Sequence, residues 1–196
     1  MIILGLTGSI GMGKSTAATV LSQMGIAVHD ADRNVHRLMA KGGAAVERIA
    51  AAFPGVVKDG AVDRGALGKR VFGDTAALNR LEAILHPMVQ AAERAFLAEA
   101  RRRRCPVVVL DIPLLYETRG ENRCDAVIVV TAPQFIQSLR VLRRKGMTPE
   151  RLKDIVMRQM PDAEKRKRAD FVVPTGLGKR QSRTALLHVV KKLKHR

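Results

Sequence analysis

Apolar residues in this 196-residue chain fall into two patterns that alternate along it. Short unbroken runs recur at IILGL (2–6), IAVHD (26–30), VVVLD (107–111), AVIVV (126–130) and FVVP (171–174). Runs of this kind, apolar at successive positions, predict strands buried on both faces of a parallel sheet. Between them Ala, Leu, Arg and Lys recur at helical spacing, so the chain reads as α/β, with a five-stranded parallel sheet flanked by helices. The interval 33–104 is too long for one crossover helix and contains no convincing strand. Its segments RNVHRLMA, AAVERIAAAF, RGALGKRVF and ALNRLEAILHPMVQAAERAFLAEARRRR favour helix, which predicts a mostly helical insertion on the sheet. Inside the last of these, Pro87 implies a kink or a new helix start. A second excursion, RVLRRKGMTPERLKDIVMRQMPDAEKRKR (140–168), is helical at both ends, with Thr148 as an N-cap and Pro149 in the first turn.

Composition narrows the setting. The length suits one domain with a substantial core, and the 46% hydrophobic content is that of a globular chain. Cys105 and Cys124 stand far apart without a CxxC pair or a nearby His cluster, so a reducing compartment is expected. The chain enters its first strand without the charged region of a signal peptide. Its longest apolar stretch, VVVLDIPLL (107–115), is well short of the roughly 20 residues a membrane helix needs. A cytoplasmic monomer without membrane contact is expected. The net charge is +17, and residues 140–196 hold 18 Lys or Arg against 5 Asp or Glu. Such a field attracts polyanions in general. Five Phe, one Tyr and no Trp leave few stacking surfaces for single strands, so no specific nucleic acid is expected as partner.

The candidate chemistry begins at MIILGLT, which leads into GSIGMGKST (8–16). Gly8, four residues, Gly13, Lys14 and Ser15 make the spacing of a Walker A loop. Its glycines let backbone N–H groups turn inward on phosphate oxygens, at the positive end of the helix that follows. The nucleotide-binding set is Gly8, Gly11, Met12, Gly13, Lys14, Ser15 and Thr16. Lys14 would reach the β- and γ-phosphates of ATP, with the Ser15 hydroxyl on Mg²⁺. Asp111 ends the third run, where a second acid would hold a Mg²⁺ water. The loop specifies a nucleotide and leaves three classes open: a small-molecule kinase, a P-loop nucleic-acid-binding protein and an ATP-sensing switch. A kinase acting on a hydroxyl needs a carboxylate to align it and take its proton. In HDAD, Asp30 and Asp32 both qualify; two apart on an extended segment, they would point the same way. His29 beside them reads as packing.

Five further stretches stand in order with the loop: HDAD (29–32), LHP (85–87), DIPLLYE (111–117), MRQ (157–159) and ADFVV (169–173). Together they resemble the dephospho-CoA kinase family over nearly the whole chain. The resemblance implies a P-loop fold like that of the nucleoside monophosphate kinases. Its core would be 1–32, 105–139 and 169–196, with a helical acceptor-binding lobe at 33–104 and a lid at 140–168. It implies transfer of the ATP γ-phosphoryl to the ribose 3′-hydroxyl of dephospho-CoA, with Mg²⁺. Asp32 matches the family's catalytic aspartate, with Asp30 as the alternative or as an acceptor contact. Arg140 matches the arginine at the start of the lid and would offset the charge that develops on the transferred phosphoryl; Arg144 would come second in that role or follow on the nucleotide, and Arg158 lies at the returning end. Pro113, Leu114 and Leu115 would shape the acceptor pocket, Glu117 would be either a surface residue or a ligand, and His86 would either contact the acceptor or cap a broken helix. Where the commonest family pattern has an Asn-bearing turn, this chain has PTGLGKRQ (174–181). Gly176 would meet the nucleotide there, while Thr175 and Gly176 leave the side-chain part of a base contact unaccounted for.

Overall fold

The computed structural model describes residues 1–194; His195 and Arg196, the end of the expected core range, lie outside the described residues. In chain order the elements are β1 (Ile2–Thr7), α1 (Lys14–Gln23), β2 (Ala27–Asp30), α2 (Ala31–Met39), α3 (Val46–Ala52), β3 (Val57–Lys58), β4 (Ala61–Val62), α4 (Arg64–Val71) and α5 (Thr75–Arg102). After α5 come β5 (Val107–Asp111), a 3-10 turn (Gly120–Arg123), β6 (Ala126–Thr131), α6 (Gln134–Leu142), α7 (Pro149–Met157), α8 (Asp162–Arg168), β7 (Phe171–Pro174) and α9 (Lys179–Lys194). The chain divides into two compact units, Met1–His29 with the chain from Ala100 onward, and Asp30–Glu99.

The first unit is built on a sheet of order β2-β5-β1-β6-β7. β1 lies between β5 and β6, parallel to both, and β7 runs parallel to β6. All five expected strands are present, each within a residue of its apolar run. Every residue of β5 is buried, as are the first five of β6, which is why these runs carry no polar alternation. Leu4, Leu6, Val107, Val109, Ile128 and Val130 pack with Leu21 of α1 and Leu186 and Leu193 of α9 in one core cluster. Each such side chain contributes about 1.5–3 kcal/mol relative to exposure. In a doubly wound parallel sheet the strand ends and the loops after them carry the site, and here the carboxyl end of β1 feeds the glycine-rich loop.

The second unit has its own core, in which Met39, Ile49, Phe53, Val56, Val62 and Leu67 cluster. It is mostly helical, as expected, with two corrections. It contains a small antiparallel hairpin, Val57–Lys58 with Ala61–Val62, where no strand was expected. Two-residue strands are too short to show alternation, but Asp59-Gly60, with φ of 53° and 77°, is the Asp-Gly type that closes tight hairpins. The second correction concerns one of the two alternatives at Pro87, a new helix start: α5 runs unbroken from Thr75 to Arg102 with the proline inside it, so His86 caps no broken helix. A proline removes one backbone bond of the ladder, and the rest of a 28-residue helix carries on past it.

In the basic excursion the expected cap is present. The Thr148 hydroxyl accepts from the Arg151 amide at 3.3 Å, and Pro149 opens α7. Among the described residues no helix is long and apolar enough to cross a membrane.

Candidate active site

The glycine loop occupies residues 8–13, between β1 and α1. At its start, a Cβ on Gly8 would lie 2.5 Å from Val130 Cγ2 and 2.7 Å from Val130 O, so only glycine lets the loop leave the sheet beside β6. At its end, Gly13 sits at φ 88° as the N-cap of α1, with no side chain capping the first turn. The leading amides of α1 are thus available to an anion, at the positive end of the helix. Lys14 opens α1 and donates from Nζ to Asp111 Oδ1 at 2.7 Å. The Asp111 side chain is 2% exposed and that of Lys14 16%. The two most telling residues of the loop reading, 97 positions apart, therefore meet. Ser15 and Thr16 are exposed on the first turn.

The back of the loop is gripped by side chains. Ile10 O accepts from Gln137 Nε2 at 2.8 Å, and Ile10 N donates to Gln159 Oε1 at 3.0 Å. Arg140, in the last turn of α6, donates from Nη1 to Gly11 O at 3.3 Å and to Thr175 Oγ1 at 3.0 Å, and from Nη2 to Thr175 O at 2.7 Å. The Thr175 hydroxyl, itself buried, donates to Met12 O at 2.7 Å. Arg144 and Arg158 are exposed. Gly176 backs onto Pro133, whose Cδ a Cβ would meet at 2.7 Å.

The DIPLLYE stretch follows β5. Pro113 O accepts the Thr7 hydroxyl at 2.9 Å, and Leu114 is 40% exposed. Glu117 is tied to the basic excursion: its Oε1 accepts from the Met160 amide at 2.8 Å and pairs with Lys165 Nζ at 2.8 Å. Burial pushes the Glu117 carboxyl up, but Lys165 and the Met160 amide outweigh it and hold the group below the ordinary glutamate range.

In the second unit, Asp30 ends β2 and caps α2, accepting from the Arg33 amide at 2.9 Å. Asp32 lies exposed in the first turn of α2. The expected shared direction on an extended segment is therefore corrected, because Ala31 and Asp32 are already helical and one residue in a helix turns by about 100°. His86 is exposed on α5.

Among the described residues no group of three or more His, Cys, Asp or Glu could hold a metal by itself. The donors at the loop are the Asp111 carboxylate and the Ser15 hydroxyl. Hard oxygens in that number suit a Mg²⁺ that arrives with substrate phosphates and keeps several waters.

Of these residues, the sequence gives no role to Gln137, Gln159 and Thr175; the charge run Lys165–Arg168 reads in line as a solvated helix face, which is corrected for Lys165, fully buried against Glu117. Gln159 is visible only as part of MRQ, and in QFIQSLRVL nothing separates Gln137 from the other polar residues Gln134, Ser138 and Arg140.

A glycine loop on β1 that opens α1, with its lysine on an acid at the end of β5, all set on a five-stranded parallel sheet flanked by helices, defines a P-loop kinase. The profile of the dephospho-CoA kinase family matches residues 2–177. A dephospho-CoA kinase of Paramagnetospirillum magneticum is 66% identical over 166 residues, 85% of this chain and 78% of that relative. Among solved structures, TT1252 from Thermus thermophilus superposes with a TM-score of 0.84 at 38% identity, covering 97% of this chain and 96% of that one. The dephospho-CoA kinase from Campylobacter jejuni gives a TM-score of 0.67 at 25% identity, with coverage of 97% and 96%. The chain belongs to the dephospho-CoA kinase family.

Proposed function

We propose that this chain transfers the γ-phosphoryl group of ATP to the ribose 3′-hydroxyl of dephospho-CoA, giving CoA and ADP. The observation that carries the reading is the loop of residues 8–13 with Lys14 held 2.7 Å from Asp111, in a chain matched by that family over residues 2–177. Lys14 and the first amides of α1 bind the β- and γ-phosphates, with Gly8, Gly11, Met12, Gly13 and Thr16 shaping the cradle. Ser15 and Asp111 would hold Mg²⁺, which would supply neutralisation of the phosphate charge. Asp32 orients the acceptor hydroxyl and takes its proton. Arg140, bonded to Gly11 O and to Thr175, is assigned to the charge that develops on transfer; Arg144 follows on the nucleotide, and the backbone at Gly176 borders it. Asp30, His86, Pro113 and Leu114 are assigned to the acceptor. The reaction belongs in the cytoplasm, where thiols such as those of Cys105 and Cys124, both free, stay reduced, and we assign the working form as a monomer. Readings as a nucleic-acid-binding protein or an ATP-sensing switch are not favoured, since the family is one of small-molecule kinases.

The test is product analysis after incubation with Mg-ATP and dephospho-CoA. Stoichiometric CoA and ADP are expected. ADP formed at the same slow rate with or without the acceptor would overturn the proposal.

A further inference from the structure

Three successive carbonyl groups of the loop are each held by a side chain: Ile10 O by Gln137, Gly11 O by Arg140 and Met12 O by Thr175. In a trans peptide the carbonyl and the next residue's N–H point in opposite directions, and no cis peptide occurs among the described residues. Each grip therefore aims an amide, those of Gly11, Met12 and Gly13, away from the helix and turn that hold the loop. The Met12 amide closes a turn on Ser9 O at 3.1 Å. Gly11 and Gly13, at φ of 75° and 88°, carry the two amides that are left to face an anion, in the manner of backbone amides at a phosphate-binding concavity.

We infer that Thr175 is a positioning residue for the phosphates. Its hydroxyl has one proton and gives it to Met12 O, the nearer of two carbonyls at 2.7 and 3.3 Å. The same oxygen accepts from Arg140, whose other terminal nitrogen takes the Thr175 carbonyl. The turn after β7, α6 and the loop are thereby closed into one ring of bonds around the Met12–Gly13 peptide. The fit is tight: a Cβ on Gly13 would stand 2.9 Å from Thr175 Oγ1 and 3.1 Å from its Cβ. Where the commoner family pattern has Asn, this chain has a residue whose hydroxyl is spent inward on the loop. The inference rests on the reading of residues 8–13 as the ATP phosphate site, and is independent of the acceptor.

Thr175→Val keeps the shape and removes the hydroxyl; Thr175→Ser keeps the hydroxyl. Calorimetric titration with inorganic tripolyphosphate and with ATP should show Thr175→Val weakened about tenfold to a hundredfold, the effect of leaving a buried carbonyl without its donor. Thr175→Ser should stay close to wild type. Dephospho-CoA affinity should be unchanged in both, and KM for ATP should rise more than kcat falls. Thr175→Ala, which adds no methyl against the carbonyls, serves the same comparison if the valine variant does not fold. Tripolyphosphate bound as tightly without the hydroxyl as with it would overturn the inference, as would equal losses for tripolyphosphate and dephospho-CoA. An acceptor other than dephospho-CoA would sink the proposed function and leave the tripolyphosphate comparison unchanged.

Discussion

At the residue scale, Lys14 already has a partner. Its ammonium sits on the buried Asp111 carboxylate; in the proposed role, incoming phosphates would compete with that carboxylate for it, and Mg²⁺ at Asp111 would relieve the competition. Lys14→Ala should therefore weaken ATP binding as well as transfer. Asp32 and Asp30 separate by their backbone positions. Asp32→Asn keeps shape but removes charge and proton acceptor, so ATP should still bind while CoA formation falls by about 10²- to 10⁴-fold. Asp30→Asn keeps a good N-cap, whereas Asp30→Ala should lower stability by roughly 0.5–2 kcal/mol. Calorimetry, a coupled ADP assay and urea melts read the three effects. Near-wild-type turnover in Asp32→Asn together with a large loss in Asp30→Asn would move the base to Asp30. The identity of the loop residues was legible in GSIGMGKST; the difference between the two aspartates was not, because it depends on α2 beginning at Ala31.

At the element scale, α8 is bound to the segment after β5 by one buried ion pair. The Lys165 side chain is fully buried and its charge is met by Glu117 at 2.8 Å; Asp162 at the start of α8 also accepts the Thr131 hydroxyl at 2.8 Å. Glu117→Gln should destabilise the protein by about 3–5 kcal/mol, because it strands an ammonium without its counter-charge. The folded-state pKa of Glu117 lies below the ordinary 4.5. Its stabilisation is thus fully present above that value and lost as pH falls through the lower folded value. The gap in urea midpoint between wild type and Glu117→Gln should hold steady from pH 8 to 6 and narrow below pH 4.5. A gap independent of pH would mean that the carboxylate charge is not what holds α8. Nothing in the periodicity of DAEKRKR distinguishes Lys165 from its neighbours; burial by the fold alone singles it out.

At the scale of the whole molecule, the +17 charge is a field that attracts polyanions in general. Arg144, Arg158, Arg166, Lys167 and Arg168 are exposed, and aromatic residues are few. Nucleic acid should bind weakly at physiological salt, with Kd on the order of 10⁻⁴ to 10⁻⁶ M, and less as salt rises. Fluorescence titration across a salt series checks this, and a tight complex with one sequence that survives high salt would contradict it. The more useful consequence of the field is attraction of ATP and of a phosphorylated acceptor.

By itself the sequence determined the local and periodic features. Doubly buried strands need unbroken apolar runs, a phosphate loop needs glycines before a helix, and a helix start favours Thr-Pro; each is written in adjacent residues. The tertiary structure alone decided which distant residues share a bond. Lys14 meets Asp111 because β5 lies beside β1, and Thr175 reaches Met12, 163 positions away, because β6 and β7 follow on β1's other side. Strand order is set by the packing of whole faces against α1 and α9, and no spacing within one segment encodes it. The hydroxyl of Thr175, a departure from the family pattern when read in line, thus acquired its role from the sheet.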